Sequence, residues 1–144
     1  MLSTDQTRSL RRLAATMIPA AAEYDVPGAG DDAVFGDILR SLGRDAAHVV
    51  AVLKRLDALA GGRFADLDEE RREAAAARLR ADGSEALTHV ERIILQCYYR
   101  DDRVMRSLGM EPRPPYPKGF EVEEGDWSLL DPVRARPQLY RDAD

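Results

Sequence analysis

At 144 residues the chain has the length of one domain, and its 44% apolar and 33% charged residues are ordinary for a protein that buries a core in water. A net charge of −5 removes the basic footprint that nucleic-acid binding needs, and a single cysteine, Cys97, excludes an internal disulfide framework and cysteine-rich metal sites. No apolar run approaches the roughly 20 residues that span a bilayer, so no direct membrane insertion is expected.

Ser3 and Gln6 have the capping-box spacing and open a helix predicted to reach about Met17, before Pro19 stops it. Leu10, Leu13, Ala14 and Met17 form its apolar stripe. Arg11-Arg12 followed by LAATMIPAAA also has the outline of a twin-arginine export signal. Thr16 and Pro19 interrupt that apolar run and charge returns at Glu23 and Asp25, so the helix is preferred. A cytoplasmic location follows; reading Arg11-Arg12 as a signal would make it periplasmic.

Residues 20–30, with Pro27, Gly28 and Gly30, read as a loop. Asp31 or Asp32 caps a second helix through Leu42, with Val34, Phe35, Ile38, Leu39 and Leu42 inward, and Gly43 breaks or kinks it. The clearest 3-4 periodicity spans about 45–60, where Val49, Val52, Leu53, Leu56, Leu59 and Ala60 recur until Gly61-Gly62 ends the helix. Asp68 caps a fourth helix, EERREAAAARLRA, whose acidic start suits the helix dipole. After Asp82-Gly83-Ser84 a fifth helix runs over about 85–100, with Leu87, Val90, Ile94, Cys97 and Tyr98 inward and Ile93 alongside. Asp101 or Asp102 opens a last short helix closed by Gly109. The expected fold is all-α: a bundle of four to six helices over residues 1–109, followed by a long extended arm over 110–144.

That arm is rich in proline and aromatics. Six of the eight prolines (Pro112, Pro114, Pro115, Pro117, Pro132, Pro137) and four of the nine aromatics (Tyr116, Phe120, Trp127, Tyr140) lie in it. Disordered tails are usually poor in aromatics, and prolines favour an extended backbone. The segment reads as a stiff ribbon with apolar anchors at wide spacing, and residues 120–123 could add one short strand at most. Four aromatics cannot offset the entropy of ordering so long a segment by themselves, so the ribbon needs a surface: its own body or a second protein. The candidate partner-binding residues are Tyr116, Phe120, Trp127, Leu129, Leu130 and Tyr140.

Residues with obvious chemistry are few. His48 and His89 fall on different helices without the i, i+4 spacing of a metal motif, and are read as surface or satisfied helix histidines. Cys97 lies on an apolar stripe and reads as a small buried hydrophobe. The acidic run Glu121, Glu123, Glu124, Asp126 lacks EF-hand spacing, and the glycines at 28, 30, 61 and 62 follow no strand as a phosphate loop would require. The expectation is a chain with no catalytic, cofactor or metal residues of its own.

The residues carry a resemblance. LRRLAATMIPA, the VLKRLDALAGGRFADLDEERREA segment and QCYYRDDRVMRSLGMEPRPPYPKGFEVEEGDWSLLDPVRARPQLYR together resemble the gluconate 2-dehydrogenase subunit 3 family, in its branch with a long C-terminal arm. These are small subunits of FAD-dependent sugar and polyol dehydrogenases. The resemblance implies a non-catalytic subunit in a heterodimer. Its partner would be a large glucose-methanol-choline-type flavoprotein that holds the FAD and the catalytic residues. The small subunit would stabilise that partner and aid its folding or flavin incorporation. A cytochrome c subunit is also compatible with the family, although this chain has no haem motif. Two rival readings stand beside it: a free-standing helical interaction or regulatory module with the tail packed on its own body, and a small enzyme using His89, Glu91 and Tyr99.

Overall fold

The computed structural model describes residues 2–137; Tyr140 lies outside the described residues. The chain divides into two compact units, with the boundary between Pro112 and Arg113. The first unit is the helical body. Its elements are α1 (Thr4–Met17), α2 (Asp32–Ser41), α3 (Ala46–Ala60), α4 (Glu69–Ala81), α5 (Glu85–Tyr99) and α6 (Asp102–Ser107). Among the described residues there is no strand, only an isolated antiparallel bridge between Ala21 and Val26. The all-α expectation holds, and the short strand considered at 120–123 does not form.

Side-chain caps set the helix starts. Ser3 and Gln6 make the full capping box on α1, with each side chain accepting the other residue's backbone N–H. Asp31, Asp68, Ser84 and Asp101 accept the orphan N–H groups at the starts of α2, α4, α5 and α6. The last turn of α6 closes on Gly109 at φ +74°, where Gly109 N–H reaches Arg106 C=O and Met110 N–H reaches Met105 C=O at 2.9 Å. That paired closure needs a left-handed residue, which glycine adopts without strain.

α3 is the central helix and packs against α1, α4 and α5, while α2 packs on α5. Val49, Val52, Leu53 and Leu56 of α3 meet Leu10 and Leu13 of α1 and Leu87, Val90, Ile94 and Cys97 of α5 in one buried cluster. α4 contributes little apolar surface, burying only Ala75 and Leu79. Arginines tie it down instead: Arg78 donates to Leu59 C=O at 2.9 Å, and Arg55 of α3 pairs with Asp82 at 2.6 Å. The turn before α4 carries a fully buried Phe64, whose backbone N–H donates to the Asp57 carboxylate at 2.9 Å.

The loop after α1 is tighter than its composition suggests. Ala29 is fully buried and donates to Ile18 C=O. A Cβ on Gly28 would stand 2.7 Å from Ala20 N, so only glycine fits there. Arg11 donates to Gly30 C=O, pairs with Asp32 and lies over the Phe35 ring. The first arginine of the Arg11-Arg12 pair thus joins α1 to α2. No helix of the described residues is long and apolar enough to cross a membrane.

Candidate functional site

The second unit, from Arg113 onward, carries five of the six residues expected to bind a partner, and local hydrogen bonds order it. Arg113 donates to Gly119 C=O at 2.6 Å and to Pro114 C=O at 3.1 Å, and its guanidinium lies 4.3 Å from the centre of the Phe120 ring. These contacts draw residues 113–120 into a closed loop, with prolines at 114, 115 and 117 fixing φ. Tyr116, inside that loop, is 86% exposed, and Phe120 is 53% exposed.

Beyond an irregular stretch, Asp126 starts a helical turn. Its carboxylate accepts from Ser128 N–H at 3.0 Å and from Ser128 Oγ–H at 2.6 Å. These bonds hold the Asp126 carboxyl below the usual carboxylate range. The 3-10 turn Trp127–Leu130 continues into a short helix, α7 (Asp131–Arg134). Here the expectation of an extended ribbon is corrected. Pro132 sits in the first turn of α7, where no intrahelical N–H bond is needed, so it accommodates helix instead of blocking it. The coil places Trp127, Leu130 and Val133 at three-residue spacing, the period of neighbours on a helix surface. Trp127 is 62% exposed, Leu129 73% and Leu130 40%. Exposed aromatic and branched aliphatic groups on a locally fixed backbone are what a protein-binding surface offers.

The body separates one expected set and joins another. His89, Glu91 and Tyr99 all lie on α5, and ten residues of helix put His89 and Tyr99 about 15 Å apart along the axis. The three side chains do not share a site. His48 of α3 and His89 of α5, expected as surface or satisfied histidines on different helices, stack face to face, with ring centres 4.3 Å apart and planes within 5°. Asp45, at the start of α3, lies 3.4 Å from His89 Nδ1, and the ligand atoms of all three residues fall within 4.8 Å of one another. Sequence spacing gave no signal for this cluster, because only the packing of α3 on α5 joins residues so far apart in the chain.

Cys97 is buried against the core, and burial pushes its thiol pKa up, away from the thiolate that a nucleophile requires. At the C-terminal end of α5, Arg100 donates to Asp37 at 2.5 Å and to Ser41 Oγ at 2.6 Å, which ties α5 to α2. A surface cleft of about 730 Å³ lies between the loop after α1 and α6, lined by Tyr24, Val26, Pro27, Arg103 and Arg106. Arg103 on its wall is held between Asp31 at 2.7 Å and Asp101 at 2.9 Å, so its charge is already matched. No protein-family model, curated protein or solved structure matches this chain.

Proposed function

We propose that this chain is the non-catalytic small subunit of an FAD-dependent sugar, glycoside or polyol dehydrogenase. It binds and stabilises a glucose-methanol-choline-type flavoprotein and aids that partner's folding or flavin loading. FAD and the catalytic residues belong to the partner. The observation that carries the reading is the second unit: Tyr116, Phe120, Trp127, Leu129 and Leu130 stay exposed on a backbone ordered by its own caps and turns. A backbone fixed in this way loses less entropy on docking than a free tail does. The resemblance of the 10–20, 52–74 and 96–141 segments to the gluconate 2-dehydrogenase subunit 3 family supplies the identity of the partner.

Co-expression tests it. A candidate glucose-methanol-choline-type flavoprotein from the same genome is produced with and without this chain, and the soluble large subunit and its bound FAD are measured. More soluble, flavin-loaded large subunit in the presence of this chain is the expected result. Equal yields and equal flavin content would count against the role.

A further inference from the structure

We propose that Asp45, His48 and His89 form a binding site for a first-row divalent transition metal ion of the zinc type, clamping the start of α3 to α5. Two neutral imidazoles and a carboxylate are the donor set such ions take, with one coordination position left for water. Asp45 and His48 stand three residues apart at the first turn of α3, and His89 reaches them from the facing helix. All three side chains are partly accessible, so an ion can enter from solvent.

The cluster's own contacts are loose. Arg92 Nη2 lies 3.4 Å from Asp45 Oδ2 and 3.3 Å from His89 Nδ1, and Asp45 Oδ1 is 3.4 Å from the same ring nitrogen. The tightest arginine–aspartate pairs of the body, Arg100–Asp37, Arg55–Asp82 and Arg103–Asp31, close to 2.5–2.7 Å, whereas the cluster's contacts match its weaker pairs, such as Arg40–Asp37 at 3.4 Å and Arg71–Asp68 at 3.5 Å. Contacts of 3.3–3.4 Å lie at the long edge of hydrogen bonding. Arg92 can only donate to His89 Nδ1 and Asp45 can only accept from it, so the two contacts call for opposite tautomers, and the Nε2–H form leaves a lone pair on Nδ1. That lone pair is what a metal needs.

Binding requires two adjustments. Lone pairs of stacked rings lie in parallel planes, so one imidazole must turn about χ2, a soft torsion, to bring its nitrogen to about 2.0–2.1 Å from the ion. Arg92 must also withdraw; its side chain is 47% exposed and has open solvent to move into. Arg92 is therefore a competitor for the site, not a ligand.

The test uses untagged full-length protein and zinc chloride alone. With only two histidines in the chain, both ring signals in a proton–nitrogen NMR spectrum should shift and saturate at one equivalent of zinc. Titration calorimetry should give one site, and the melting temperature should rise with zinc. His48→Gln and His89→Gln should each weaken binding roughly tenfold or more, since even outer-shell changes cost about 10–100-fold. Arg92→Gln should bind at least as tightly as wild type. Circular dichroism confirms that each variant keeps its helices, and the wild-type NMR titration stands without any variant. Unmoved histidine signals at excess zinc would overturn the proposal, as would affinity that survives both histidine substitutions or falls with Arg92→Gln.

Discussion

The body and the second unit use their apolar side chains in opposite ways. Leu10, Ile38, Leu56, Phe64 and Ile94 are sealed in the body, whereas Tyr116, Trp127, Leu129 and Val133 lie open from Arg113 onward. Both regions are built from the same local devices: aspartate caps, arginines that gather carbonyl groups, and turns closed by glycine or proline. Caps and turns set backbone direction; only burial supplies large stabilisation. A segment with the first and without the second has order to offer a partner and apolar surface left to bury.

The widest gap between the two regions should appear on truncating aromatics. Phe64→Ala empties a sealed site and should cost about 3–5 kcal/mol in urea-unfolding free energy. Trp127→Ala should leave the same quantity within about 0.5 kcal/mol of wild type. Comparable losses from both would erase the distinction.

A smaller effect is expected at Asp57. Its carboxylate accepts the Phe64 N–H, so Asp57→Ala strands a partly buried donor and should cost about 1–3 kcal/mol by the same assay. Removing the second unit should cost the body less still. A chain ending at Pro112 keeps the Met110–Met105 closure of α6 and should retain the helical signal and unfolding midpoint of the body. A chain ending at Gly109 loses that bond, and amide exchange should show α6 fraying first.

Acid should act gently and on the body. Asp37, Asp31 and Asp101 have carboxyls held below the usual range, chiefly by hydrogen bonds from Arg100 to the first and from Arg103 to the other two. Folded-state values below the unfolded ones stabilise the protein above the unfolded carboxylate range of about 3.9, and that contribution is lost as pH falls through the folded values. Stability should therefore decline as pH drops below about 4. Arg100→Gln should flatten the part that Asp37 contributes, and an unchanged slope would show that the Arg100–Asp37 pair is not responsible.

Much of the body was legible because its signals are local. Ser3 with Gln6, Asp68 and the 3-4 stripe of α3 each act within a turn or two, and the structure places those helix ends within a residue of expectation. Phe64 carries no sequence signal as core, because a single apolar residue in a turn has no period to betray it. At 127–134 the proline-rich composition predicts an extended backbone and hides the helical turn. The signal lay in Asp126 two residues before Ser128, a side-chain cap, and in Pro132 at a position where helices accept it. The meeting of His48 and His89 had no sequence signal, since it depends on how two helices pack.

The most direct test of the account is the affinity of the proposed FAD-loaded flavoprotein partner for wild-type chain and for Trp127→Ala, with circular dichroism recorded on both. Undiminished helical content and a loss of about 2 kcal/mol or more in binding, some 30-fold in Kd, is the expected result. Normal affinity of Trp127→Ala, together with unfolding of the body when the chain ends at Pro112, would show that the second unit serves the body's own stability and would contradict the partner-binding role.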